Sequence, residues 1–412
     1  MHLVFDVLDA KKISISRDDI YTLLQRCIKE RDLPSARKVH SLMVNNRLDS
    51  IPVLIDHLIR IFTTCGSLND VRDVFEKASN PSIYTWNAVI QAHANLREEE
   101  RALEFFQLMQ ECGVKPEEHT FSSVLKACTN IGCLRLGRFI HDQVNRSSLE
   151  LDIVVSNALV ELYAKCGSLE EARKIFDNLL CRNVVTWASL ISGYVQQGHS
   201  LISYELFLKM QTEGVKPDKV VFLCALKSCG STGMVDHGKS IHEQIVNFGL
   251  EFDIAISNAL IDMYGKCGCE VEAQDVFDSL PEPDVVCWTA LITGYAQRGF
   301  REKASKALEQ MQLAGISPDV ILWNAVLLAY AEHGEYDLAF KQYTQMQEQG
   351  LLPNPVTYLN VLKACTNRAA IKVGMKLHAQ IHRIASCNEG PLGTALIDMY
   401  GKCGNMADAE HI

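Results

Sequence analysis

Two short helical stripes alternate along the chain. Within residues 153–183, Ala158, Leu159, Leu162 and Tyr163 follow an i, i+1, i+4, i+5 pattern, which places them on one face of a helix. Gly167 ends that stripe. Ser168 stands three residues before Glu171, the spacing of a capping box that opens a second helix. Leu169, Ala172, Ile175 and Phe176 form the predicted buried face of the second helix. Neither helix is long enough to be stable alone in water, so each must bury its stripe against its partner and against a neighbouring copy.

The copies are visible as fixed intervals. Trp86, Trp187 and Trp288 recur every 101 residues, as do Cys65, Cys166 and Cys267, Cys27, Cys128 and Cys229, and His40, His141 and His242. The longer stretches close on Gly-x-x-Pro: Gly113/Pro116, Gly214/Pro217, Gly315/Pro318 and Gly350/Pro353. Glycine permits a left-handed turn there and proline prevents continuation of the helix. The cycle subdivides into repeats of 35, 31 and 35 residues. After an amino-terminal segment 1–16, the predicted repeats are 17–51, 52–82, 83–117, 118–152, 153–183, 184–218, 219–253, 254–284, 285–319, 320–354, 355–389 and an incomplete 390–412. The 35-residue repeat 320–354 interrupts the cycle, so Cys403 and His378 follow Cys267 and His242 by 136 residues. A solenoid normally ends in a polar cap, and the broken twelfth repeat reads as part of a longer chain. The expected fold class is all-α, a solenoid of helix–turn–helix repeats.

Composition narrows the function. A formal net charge of −10 argues against indiscriminate binding to nucleic acid through bulk charge. A local basic track remains compatible with it, because exposed charges more than about 10 Å apart are largely screened. No apolar run reaches the roughly 18 residues of a membrane span, so no membrane partner is expected. The first twenty residues lack the basic start and long apolar core of a secretory signal, and equally the Arg/Ser-rich, acid-poor character of a transit peptide. Fifteen cysteines, an odd number with no C-x-x-C, suggest free thiols in a reducing compartment.

Some residues suggest chemistry. Cys27/His40, Cys128/His141, Cys229/His242 and Cys365/His378 each stand 13 apart. One Cys and one His per repeat fall short of four metal ligands, and free Cys is among the most buried residue types, so core packing is the expected role. His333-Gly334-Glu335 matches the H-x-E of zinc cytidine deaminases, but the required downstream P-C-x-x-C is missing. No nucleotide-binding glycine loop or nucleophile elbow is present. No catalytic residue, metal, cofactor or small-molecule substrate is expected of this chain.

The helix openings Tyr84-Thr85-Trp86-Asn87-Ala88, Val185-Thr186-Trp187-Ala188 and Val286-Cys287-Trp288-Thr289-Ala290 are distinctive. So are Ser192-Gly193-Tyr194, Thr293-Gly294-Tyr295, Tyr163-Ala164-Lys165-Cys166-Gly167 and Gly214-Val215-Lys216-Pro217-Asp218. Together they resemble pentatricopeptide repeats (PPR), and the alternation of 35, 35 and 31 resembles the plant PLS subclass of standard, long and short repeats. The resemblance covers residues 17–412. Tetratricopeptide repeats, which bind peptides, have similar length but place Trp, Leu-Gly and Tyr in the first helix.

The resemblance implies a right-handed α-solenoid superhelix whose first helices line a groove, with one RNA base read per repeat. It implies that the reading pair is the fifth residue of a repeat and its last. A final Asp accepts a hydrogen bond and suits the ring N–H of U or G; a final Asn can donate to A or C. By the family's pattern, Thr289 with Asp319 matches G, and Asn258 with Asp284 matches U. Asn157 with Asn183, and Asn324 with Asn354, match C with U second. Asn87 with Glu117 suggests a pyrimidine but departs from the usual final residue. Ala188 with Asp218 departs at the first position. Ser122 with Asp152 lies in a long repeat, where the rule is weaker; Leu223 and Leu359, in other long repeats, cannot hydrogen-bond a base; Asp56 with Ser82 fits no base. Lys165, Lys266 and Lys402 end the first helices of short repeats and are either phosphate contacts or lysines favoured by the helix dipole. Val154, Val185, Val286 and Ile321, at second positions, either wedge between bases or pack between repeats.

The expected function is sequence-specific binding of single-stranded RNA. The PLS-like pattern implies the recognition part of a C-to-U editing factor in a mitochondrion or chloroplast, acting with other editing proteins, with deaminase activity in a carboxyl-terminal extension. The alternatives are a factor that stabilises or processes an organellar transcript, or a tetratricopeptide-like peptide scaffold, which the −10 charge favours.

Overall fold

The computed structural model describes residues 16–49, 51–78, 81–149, 151–384 and 390–412. The amino-terminal segment 1–16 lies, except for Ser16, outside the described residues. The described residues form 24 helices and no strand. They divide into two compact halves, 1–198 and 199–412.

In both halves the helices come as antiparallel hairpins. First helices begin at Arg17, Pro52, Ile83, Glu118, Ile153, Val184, Lys219, Ile254, Val285, Val320, Pro355 and Pro391. Within each half, successive first helices pack directly on one another, and second helices pack on their own first helix and on the next. A first helix is therefore covered on several sides. In Ile153–Lys165, Val155, Ser156, Leu159, Val160, Leu162, Tyr163 and Ala164 are all buried. Its partner Leu169–Asn178 buries only Ala172 and Phe176, so the predicted stripe residues Leu169 and Ile175 are half-exposed.

Close approach of first helices explains the recurring Gly-Tyr. A Cβ added to Gly193 would stand 2.4 Å from the Ala164 Cβ of the previous first helix, so only glycine fits without separating the two. The Gly-x-x-Pro endings behave as expected: Gly214 has φ +76°, a left-handed conformation that costs glycine little. The capping box expected of Ser168 and Glu171 does not form. Ser168 makes no side-chain cap, and Glu171 instead accepts from Arg138 Nη2 at 2.9 Å, bridging to the preceding hairpin.

Two aromatic junctions recur. Where a 31-residue repeat meets the next first helix, Phe75–Trp86, Phe176–Trp187 and Phe277–Trp288 meet edge to face at 4.7, 4.7 and 4.5 Å between centroids. Where a long repeat meets a short one, His141, His242 and His378 bond through Nδ1 to the hydroxyls of Tyr163, Tyr264 and Tyr400 at 2.9, 3.0 and 3.1 Å. His40, in the same register, meets Phe62 instead. The periodic histidines are thus clamps between hairpins. Their cysteine companions lie in the core, and burial pushes the thiols of Cys128, Cys229 and Cys365 up to about 12.

Candidate nucleic-acid interface

At the candidate reading pairs, the last residue of a repeat stands at the cap of the next first helix, and this fixes what it can offer a ligand. Asn183 Oδ1 accepts the Thr186 N–H at 3.0 Å and Asn354 Oδ1 accepts the Thr357 N–H at 2.9 Å. Asp218, Asp284 and Asp319 do the same for Val221, Cys287 and Leu322 at 3.0, 2.8 and 2.8 Å. One oxygen of each side chain satisfies an orphan helix donor. What remains differs: Asn keeps an NH2 donor, and Asp keeps a second oxygen acceptor.

The fifth residue of the same repeat lies beside that cap. Asn87 Nδ2 donates to Glu117 Oε1 at 2.6 Å, Asn324 Nδ2 to Asn354 Oδ1 at 3.2 Å, and Asn157 Nδ2 to Asn183 Oδ1 at 3.4 Å. At Asp284, burial raises the carboxyl, but bonds from Cys287 and the Asn258 amide outweigh it and hold the group below its usual value. Asp284 therefore stays an ionised acceptor at neutral pH. The Thr289 hydroxyl donates to its own helix at Val285 O, 2.7 Å away, so its lone pairs face outward as acceptors. Ala188 and Asp218 fall in different halves, and Ala188 offers no polar group. Asp56, assigned to no base, accepts from Thr85 and Ser82.

The lysines are less free than their sequence suggests. Lys165, Lys266 and Lys402 each pair with a carboxylate one turn earlier, Glu161, Asp262 and Asp398, at 2.6, 2.6 and 3.1 Å. The second-position residues are exposed: Val154 38%, Val185 51%, Val286 56% and Ile321 72%. Tyr84, Val220 and Val356 share this position and exposure, which periodicity within helices buried on several sides does not reveal. The H-x-E residues are engaged elsewhere: His333 Nε2 meets Gln297 O at 2.7 Å, and Glu335 pairs with Arg301 at 2.8 Å. Among the described residues, no group of three or more His, Cys, Asp and Glu is placed to hold a metal ion.

Three family profiles match this chain of capped hairpins. The PPR repeat family matches residues 81–130, 182–231 and 318–367; the pentatricopeptide repeat domain matches 276–332; and the PPR repeat matches 154–184 and 256–282. Together they take in more than half of the chain. It is a pentatricopeptide repeat protein. A chloroplastic pentatricopeptide repeat-containing protein of Arabidopsis thaliana is 34% identical over 296 residues, 72% of this chain and 48% of the relative. A mitochondrial one, named as putative, is 31% identical over 290 residues, 70% of this chain and 46% of that one. The PPR chain thus spans about half the length of these curated relatives. The crystal structure of PPR10 from maize with an 18-nt psaJ RNA element matches 99% of this PPR chain and 64% of its own, with a TM-score of 0.70 at 20% identity. A second crystal structure of PPR10 from maize matches with a TM-score of 0.64. These likenesses show the shared α-solenoid fold.

Proposed function

We propose that this chain binds single-stranded RNA and reads bases through the fifth and last residues of its repeats. The observation that carries this is the capping geometry, which leaves a defined donor or acceptor at each reading pair. Thr289 and the second oxygen of Asp319 are two acceptors, complementary to N1–H and the N2 amino group of guanine. The Asn258 amide and Asp284 present a donor and an acceptor, complementary to a carbonyl and N3–H of uracil. The Asn157/Asn183 and Asn324/Asn354 pairs present donors, complementary to N3 and O2 of cytosine. Asn87 with Glu117 presents a donor and a carboxylate and groups with the uracil reader. Asp218 contributes one acceptor. A peptide groove gives no reason for donors and acceptors set one repeat apart.

The exposed residues Val154, Val185, Val286 and Ile321, joined by Tyr84, Val220 and Val356, supply apolar surface for bases to stack against. Lys165, Lys266 and Lys402 contact phosphates by exchanging their helix carboxylates for phosphate oxygens, which positions the strand without reading it. The finer role we propose is recognition for C-to-U editing in a chloroplast or mitochondrion, supported by the 35/31 alternation and by relatives named for those organelles. Selection from a random RNA pool tests the reading. Repeats 254–284 and 285–319 should enrich U followed by G, with the amino end of the protein toward the RNA 5′ end. Enrichment of no sequence would contradict it.

A further inference from the structure

A third residue stands behind three of the four asparagine readers, Asn87, Asn157 and Asn324. The third residue of the following repeat is Thr120, Thr186 or Thr357, each fully buried. Its hydroxyl lies 2.5 Å from Asn87 Oδ1, 2.6 Å from Asn157 Oδ1 and 2.7 Å from Asn324 Oδ1, respectively. The same hydroxyl accepts the backbone N–H of the capping residue, from Glu117, Asn183 and Asn354 at 3.1, 3.3 and 3.1 Å. A hydroxyl has one proton. One of its two lone pairs takes that N–H, and besides the asparagine its proton also faces the capping Asn183 Oδ1 at 2.9 Å or Asn354 Oδ1 at 3.0 Å. The capping oxygen, Glu117 Oε1, Asn183 Oδ1 or Asn354 Oδ1, accepts from the asparagine NH2, so the amide atom left to meet the hydroxyl is Oδ1. Cap and threonine together hold the asparagine with Oδ1 turned inward and the NH2 group turned toward the cap and the groove.

Repeat 254–284 departs from this arrangement. Cys287 replaces the threonine that follows Asn258, and Asn258 Oδ1 is buried with no hydrogen-bond partner. A thiol is a weak donor, and the Cys287 thiol bonds to Asp284, so at this repeat the orientation of the amide rests on its bond to the Asp284 carboxylate.

We infer that Thr120, Thr186 and Thr357 are positioning residues that set base selectivity in the repeat preceding their own. The inference rests on the base-reading function proposed above. Each threonine turns its asparagine into an obligate donor and so disfavours a base that presents a donor there. The unit of recognition thus spans two repeats: fifth residue, last residue, and third residue of the next.

The test uses the whole 412-residue chain and RNA oligonucleotides that differ only at the base opposite repeat 153–183, or only at that opposite repeat 320–354. Thr186→Val should reduce the pyrimidine-over-purine affinity ratio opposite 153–183 by about three- to tenfold, the worth of one hydrogen bond, and leave the ratio opposite 320–354 unchanged. Thr186→Ser, which keeps the hydroxyl, should restore the ratio even where it lowers the melting temperature. Cys287→Thr should raise the preference for U opposite 254–284. Equal loss at both positions, or an unchanged ratio in Thr186→Val, would overturn the inference while leaving base reading intact. A wild-type chain with no preference opposite 153–183 would overturn the base-reading proposal and this inference with it.

Discussion

The junction between repeats 153–183 and 184–218 and the junction between 118–152 and 153–183 solve one problem with different chemistry. The first buries Phe176 against Trp187, both with no exposed surface. The second sets half-buried His141 against Tyr163 and closes on a 2.9 Å hydrogen bond. Both patterns return along the chain, at Phe75–Trp86 and Phe277–Trp288, and at His242–Tyr264 and His378–Tyr400. The apolar junction draws its strength from area removed from water. The polar junction draws less from area and depends on a titratable group. A solenoid built from both therefore has seams of unequal strength, and only one kind answers to pH.

Breaking the apolar seam should have the largest effect. Trp187→Ala removes a side chain with 0% exposure, and a cost of about 3–5 kcal/mol is expected, read as a fall in denaturation midpoint. The equivalent truncation at exposed Tyr84, two residues before Trp86, should leave the midpoint nearly unchanged.

The polar seam should respond less. Tyr163→Phe keeps the ring and removes the hydroxyl that meets His141, reproducing the His40–Phe62 arrangement, at a cost of about 1 kcal/mol. Burial pushes the imidazoles of His40, His141 and His242 below their usual value. The unfolded chain then binds more protons than the folded one as pH drops, so stability is full above the ordinary histidine value near 6.5 and declines below it. The melting temperature should therefore fall between pH 7.5 and pH 5.5, and His141→Phe should flatten that slope. A slope of the opposite sign would contradict the role of burial at these histidines.

Much of the hairpin pattern was legible because its cause is local. Glycine and proline punctuate helices wherever they stand, and amphipathic stripes recur with the repeats. What was less legible depends on contacts between repeats. The Ser168–Glu171 spacing reads as a capping box, but Glu171 finds Arg138 in another hairpin. The spacing of 22 residues from His141 to Tyr163, and again from His242 to Tyr264 and His378 to Tyr400, was present as a signal of the clamp. It is hidden when each histidine is paired only with the cysteine before it. Thr186 reads as a helix-opening residue, and its bond to Asn157, 29 residues earlier, has no local signature. The lysines at the ends of short-repeat first helices look free until the carboxylates one turn earlier are considered together with helix geometry.

The reading chemistry itself is tested most directly by one exchange at one base. Thr289→Asn replaces an outward acceptor with an amide donor beside Asp319, creating the pair already present as Asn258 with Asp284. Affinities of the whole chain for four RNAs that differ only at the base opposite repeat 285–319 should show the preference moving from G to U. The base opposite 254–284 should still be read as U. An unchanged preference for G in Thr289→Asn, with binding otherwise intact, would contradict the account.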